Sequence, residues 1–196
     1  MGNKIKSRLL IDFQIETFQN AKRLLLESED LFRSNMFPTS TFLALTAIEE
    51  MGKFYLIRII SIKNSKDELT KNDIKKLRDH SLKQLNSFLP PVPFRQEKQK
   101  VSKNISLFWS LHADNKLMAI RNNCLYTDFN VNNGVSHIPQ QSIKKENALY
   151  FLGVAFEVML LQIESLLTCL DCSREHLFLE EERILLSNRY KEFMNG

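Results

Sequence analysis

Three short polar clusters stand in strongly helical, largely apolar surroundings, and each carries residue types able to do chemistry. The first is Glu49-Glu50-Met51-Gly52-Lys53. Residues three and four apart share a helix face, so Glu50 and Glu49 each reach Lys53. On an exposed helix such pairs add only about 0.3–0.5 kcal/mol. Here they interrupt the apolar stretch 42–62, where charges need partners, and Gly52 lets another backbone approach closely. The second cluster, Asp79-His80-Ser81-Leu82-Lys83, puts an imidazole one turn from an ammonium. An imidazole can move a proton near neutral pH and an ammonium can offset phosphate charge, although a solvated helix face accounts for the same pattern. The third is Arg121-Asn122-Asn123-Cys124-Leu125-Tyr126-Thr127-Asp128. Arg121 is a fixed cation shaped for bidentate phosphate contacts, whereas a phenol such as Tyr126 makes a poor general base. The plain reading of this third stretch is a basic residue at a helix C-terminus followed by an aromatic packed into the core.

Other chemistries are excluded by what is missing. No phosphate-cradling glycine loop, nucleophile elbow or HExxH helix occurs, and the chain holds only 5 Gly. His80, His112, His137 and His176 do not pair at helical spacing. Cys169-x-x-Cys172 has no second ligand pair, so buried small hydrophobes are expected there rather than a zinc site. No metal and no cofactor is expected. The 27 Lys+Arg against 23 Asp+Glu give +4, which permits a polyanionic partner without demanding one. Residues 66–103 are locally more basic, with ten Lys/Arg against five Asp/Glu.

The elements that must position these clusters are helices. With 196 residues, 43% apolar and 5 Pro, the chain suits one all-α domain over residues 1–196. A first helix over residues 7–34 follows from Leu10, Phe13, Thr17, Ala21, Leu24, Ser28 and Leu31. It stops at Asn35-Met36-Phe37-Pro38. A second runs to Lys63 with the stripe Leu45, Ile48, Gly52, Tyr55, Ile59 and Ile62, and with Thr39, Ser40 and Thr41 available as capping hydroxyls. The short connection makes the two an antiparallel hairpin. A third helix over 70–88 takes Thr70 or Asn72 as its cap and ends at Pro90-Pro91-Val92-Pro93. A fourth over 105–126, with a break, leads into an Asn-rich loop at 127–142. A long apolar helix over 143–170 and a polar one over 173–193 close the chain. The best candidate for a membrane span, residues 148–170, is interrupted on one face by Glu157 and Glu164. That describes a packed helix, so no membrane partner and a cytoplasmic location are expected. No sheet is expected.

Taken together the motifs resemble the AbiV abortive-infection family within the HEPN superfamily. The resemblance runs through Asn20-Ala21, Ala44-Leu45-Thr46-Ala47-Ile48-Glu49-Glu50-Met51-Gly52-Lys53, His80-x-x-Lys83 and Arg121-x3-Leu125-Tyr126-Thr127-Asp128-Phe129. It implies a HEPN-like antiparallel helical bundle, a homodimer and a role in bacterial defence against phage. Many HEPN proteins are metal-independent endoribonucleases in which an Arg-polar-x(3–5)-His motif binds the scissile phosphate and moves the proton of the 2′-hydroxyl. Arg121-Asn122 matches the start of that motif, and Tyr126 stands where it has His. The resemblance therefore implies catalytic roles for Arg121, Tyr126 and His80, the last supplying the missing imidazole. It implies substrate contacts for Glu50, Lys53, Lys83, Asn122 and Asp128. Two readings stay open: an effector that binds or cleaves RNA, and a non-catalytic homodimer that binds a phage-encoded or translation-machinery protein. Two spatial expectations follow. Glu50, Lys53, His80 and Arg121 should come together, and the aromatics Phe108, Trp109, Tyr126 and Phe129 should sit in a dimer interface that pairs two Arg121 side chains.

Overall fold

The computed structural model describes residues 2–63, 69–88, 102–130, 135–167 and 174–195. The chain is all-α, built on a long hairpin of α1 (Gly2–Arg33) and α2 (Phe37–Lys63). The turn between them is a Schellman pattern: Met36 N–H donates to Leu31 O and Asn35 N–H to Phe32 O. Asn35 takes the left-handed conformation, φ 60°, that such a turn requires and that Asn tolerates. The hydroxyls at the start of α2 do not cap it. Ser28 Oγ donates to Ser40 O (2.8 Å), and Ser40 Oγ donates back to Ser28 O (2.9 Å), fastening the two helices where the chain reverses.

Helix α2 is central and buried on nearly every side, packed by α1, by α8 (Lys145–Leu167) and by α4 (His80–Asn86). Leu45, Ile48 and Met51 from α2 join Phe18 and Leu25 from α1, Phe108 from α5 (Lys103–Ala113), and Leu152, Phe156, Met159 and Ile163 from α8. Helix α9 (Arg174–Asn195) closes the outside against α8. Helix α8 is long and apolar enough to cross a membrane by length and composition, yet most of that stretch is buried among the other helices, as the core helix of a bundle is.

The expected third helix is two. Thr70 caps α3 (Lys71–Arg78) in a reciprocal capping box with Asp73. Asp79 then leaves helical geometry, ends α3 and caps α4 by accepting from Leu82 N–H at 2.9 Å. The expected fourth helix breaks at Asp114-Asn115, where Asn115 is left-handed (φ 56°), into α5 and α6 (Lys116–Asn123). The expectation of no sheet needs correction. Strands β1 (Asp128–Asn130) and β2 (Val135–His137) form a short antiparallel ribbon inside the expected loop, followed by the single turn α7 (Pro139–Ser142). Within residues 9–62 the described chain has no strand, as the 3/4 spacing requires. Cys169, Cys172 and the Pro90–Pro93 stop lie outside the described residues.

Candidate functional site

The site begins with a glycine. A Cβ placed on Gly52 would lie 1.7 Å from the backbone carbonyl oxygen of Lys83, so α4 reaches α2 at a depth that no other residue permits. Gly52 is one turn beyond Glu49, and the close approach brings the side chains of α4 onto that carboxylate. His80 Nδ1 lies 2.6 Å from Glu49 Oε2, Gln84 Nε2 donates to Glu49 Oε1 at 2.9 Å, and Lys83 Nζ stands 3.8 Å from Oε2. Helix α6 completes the ring, with Arg121 Nε 3.8 Å from Glu49 Oε1. The Arg121 guanidinium lies over the ring of Phe42, 5.0 Å from its centroid, in a cation–π contact that fixes its plane.

Burial grades outward across this cluster. The Glu49 side chain is 1% exposed, Arg121 20% and His80 37%. One buried carboxylate thus faces two permanent cations and an imidazole, and positive charge is in excess. The Arg121 Nε is itself buried without an acceptor. Its geometry to Glu49 is an ion pair too long for a hydrogen bond. Nδ1 of His80 is committed to Glu49, which leaves Nε2 with no partner among the described residues. A carboxylate that orients an imidazole in this way fixes its tautomer and supports it as it takes up a proton.

The sequence-derived site residues divide. His80, Lys83 and Arg121 meet, but around Glu49 rather than Glu50. Glu50 turns to the α1 side, where it accepts from Asn20 Nδ2 and Lys53 Nζ, each at 3.2 Å. Lys53 also lies over the Phe13 ring. Glu50 and Lys53 are thus not among the side chains that contact Glu49: neighbours on a helix point about 100° apart, and the two carboxylates serve different sides of α2. Tyr126 is 62% exposed, its hydroxyl unpartnered among the described residues and outside the Glu49 ring of contacts. Asn122 is exposed and its side chain makes no hydrogen bond or ion pair among the described residues, while the Asp128 side chain lies outside them. The interface expectation is corrected for Phe108, which is fully buried between Phe88 and Phe151 and closes the bundle, while Trp109, half-buried, packs on Phe88 and His112, and the Phe129 side chain lies outside the described residues.

Sequence reasoning passed over Glu49 and Gln84 as site residues. Gly52 was the available signal, because a close approach there selects the residue one turn earlier. Among the described residues no group of three or more His, Cys, Asp or Glu side chains could hold a metal ion.

A second carboxylate cluster lies between α5, α8 and α9. Glu157 accepts from Ser102 Oγ, from Asn104 Nδ2 (2.9 Å) and from the Tyr190 hydroxyl (2.8 Å). The Tyr150 hydroxyl donates to Asn104 O at 3.0 Å. Burial, with the Glu157 charge beside them, pushes both phenols well above the ordinary tyrosine value. Every donor here is neutral and satisfied.

A family model described as AbiV, of the HEPN type, matches residues 9–159, which takes in α1 through most of α8 and the whole Glu49 cluster. No curated protein and no solved structure matches the chain.

Proposed function

The chain belongs to the AbiV family of HEPN proteins, and from that premise we propose that it is an abortive-infection effector that engages RNA through Arg121, with His80 as its acid–base group. The observation that supports this reading is the excess of positive charge around one buried carboxylate, open to solvent at His80 and Arg121. A phosphodiester supplies the missing anion. Arg121 and Lys83 hold its oxygens, and charge that grows on phosphorus oxygens in the transition state strengthens both contacts. His80 Nε2 takes the proton of the 2′-hydroxyl, the 2′-oxygen attacks the adjacent phosphorus, and the 5′-oxygen leaves with a proton from solvent or a second imidazole. A cyclic phosphate and a 5′-hydroxyl result, with no metal required. Tyr126 takes no proton in this scheme.

The effector works as a homodimer. Met118 is exposed on the α6 face of Arg121, one turn before it, and Leu125 and Tyr126 are exposed in the turn just past the end of α6. A second copy covering that face brings two Arg121 side chains to one groove.

Pure protein incubated with total RNA in EDTA tests the scheme. Wild type yields fragments ending in cyclic phosphate. Arg121→Ala abolishes both binding and cleavage, whereas His80→Gln binds RNA and does not cleave it. Binding by wild type without cleavage keeps the RNA-binding effector and removes the acid–base role of His80, whereas wild type that neither binds nor cleaves RNA favours instead the non-catalytic homodimer that binds a phage or translation partner. RNA binding unchanged in Arg121→Ala overturns the reading, and a monomer in sedimentation at tens of micromolar overturns the dimer.

A further inference from the structure

Helix α6, which carries Arg121, is held by little. It has 8 residues, starts from left-handed Asn115 with no side-chain cap, and buries only Leu117 within its length and Cys124 just beyond it. A short helix held along one face, by Leu117, Cys124 and the partly buried Ile120, can still roll about its axis, and a roll carries Arg121 away from Glu49. Its C-terminal end is where that freedom is removed. The last carbonyls of a helix lack partners within it. Three of them are served by the turn that follows: Cys124 N–H donates to Ile120 O and Arg121 O, and Leu125 and Tyr126 N–H to Asn122 O. The fourth, Asn123 O, is met from outside by His137 Nε2 at 3.1 Å. A carbonyl only accepts, so Nε2 carries the proton. Nδ1 of the neutral ring is then an acceptor, and Ser142 Oγ donates to it at 2.8 Å. One imidazole thus ties the end of α6 to β2 and α7.

We propose that His137 is a positioning residue for Arg121: the Nε2–H bond to Asn123 O sets the roll of α6 and so the placement of the guanidinium over Phe42 and beside Glu49. The inference rests on the reading of Arg121 as the phosphate ligand, and it makes a separate claim about where that side chain stands. Ser142 holds the ring in the tautomer that serves the carbonyl.

The test follows the Arg121 Nε–H resonance by NMR and RNA binding by titration, in full-length protein. His137→Ala removes the donor, while His137→Gln puts an amide N–H in the place of Nε2. The ring lies at the surface, so both variants unfold close to the wild-type temperature. His137→Ala shifts the Arg121 resonance and weakens RNA binding about fivefold, the size of one lost hydrogen bond. His137→Gln restores both. An Arg121 resonance unmoved by His137→Ala, or moved equally by both variants, overturns the proposal. A resonance that moves in His137→Ala and returns in His137→Gln, in a protein whose RNA binding ignores Arg121→Ala, upholds the positioning and overturns the reading of Arg121 as phosphate ligand.

Discussion

Glu49 on α2 and Glu157 on α8 are alike in setting and opposite in company. Both sit on the two most apolar helices, and both lie within one turn of a glycine on the same helix, Gly52 and Gly153. Glu157 is met by two hydroxyls and an amide, neutral donors that satisfy it and add no charge. Glu49 is met by an amide, an imidazole, an ammonium and a guanidinium, more cation than one carboxylate neutralises. A half-buried carboxylate saturated by neutral donors holds helices in register. A carboxylate outnumbered by cations leaves positive charge in excess, the feature on which the proposed anion site rests. The glycines tell the same story. Gly52 is indispensable to the approach of α4, whereas a Cβ on Gly153 would meet only Met194 Sδ at 3.9 Å, an ordinary contact.

The largest expected effect is that of Gly52→Ala. The added methyl strikes backbone rather than a yielding side chain, so α4 must withdraw and the protein loses about 3 kcal/mol of stability. Denaturant unfolding measures the loss, and the His80 ring resonances should move toward those of a free imidazole. Glu49→Gln comes next, at about 2 kcal/mol, because Lys83 and Arg121 lose their counter-charge. Added phosphate or RNA should recover part of that loss by supplying the missing anion. If Glu49→Gln unfolds like wild type and phosphate changes nothing, the contrast between the two carboxylates collapses.

On the Glu157 side the expected effect is one of alkaline pH. Tyr150 and Tyr190 titrate above the ordinary value in the folded protein, so it keeps protons that the unfolded chain releases. Their contribution is complete below about pH 10, the ordinary tyrosine value, and is lost as the pH rises from there through the higher folded values. Denaturant midpoints for wild type should fall more steeply across this range than those of the Tyr150→Phe, Tyr190→Phe double variant. The smallest effect is a gain. Gly153→Ala should stabilise α8 by about 0.5–1 kcal/mol, the helix preference of alanine over glycine, since the added methyl meets only an ordinary contact with Met194.

Much of the fold was legible because it rests on local pattern. The 3/4 spacing of apolar residues in α1 and α2, the Asn35 stop and the Thr70 cap are encoded within a few residues of where they act. The two mid-helix breaks were less so, for opposite reasons. Asn115 left a break that could be suspected, whereas Asp79 sits inside a helical pattern and ends α3 only because its carboxylate finds Leu82 N–H. The β1–β2 ribbon escaped because three-residue strands in an Asn-rich stretch carry no alternation to read.

By itself the sequence determined that the protein is helical, that α2 is central, that charges in it need partners, and that a backbone approaches at Gly52. These follow from periodicity and side-chain size, properties each segment carries alone. Which carboxylate serves the site was decided only by the tertiary structure. Glu49 and Glu50 are the same residue one position apart, and their local environments in sequence are nearly identical. Where α4 docks makes the difference: it turns His80, Lys83 and Gln84 onto Glu49, leaves Glu50 to Asn20 and Lys53, and lets Arg121 arrive from α6 seventy-two residues away. A helix fixes the direction of each side chain about its own axis, but only packing decides what stands in that direction.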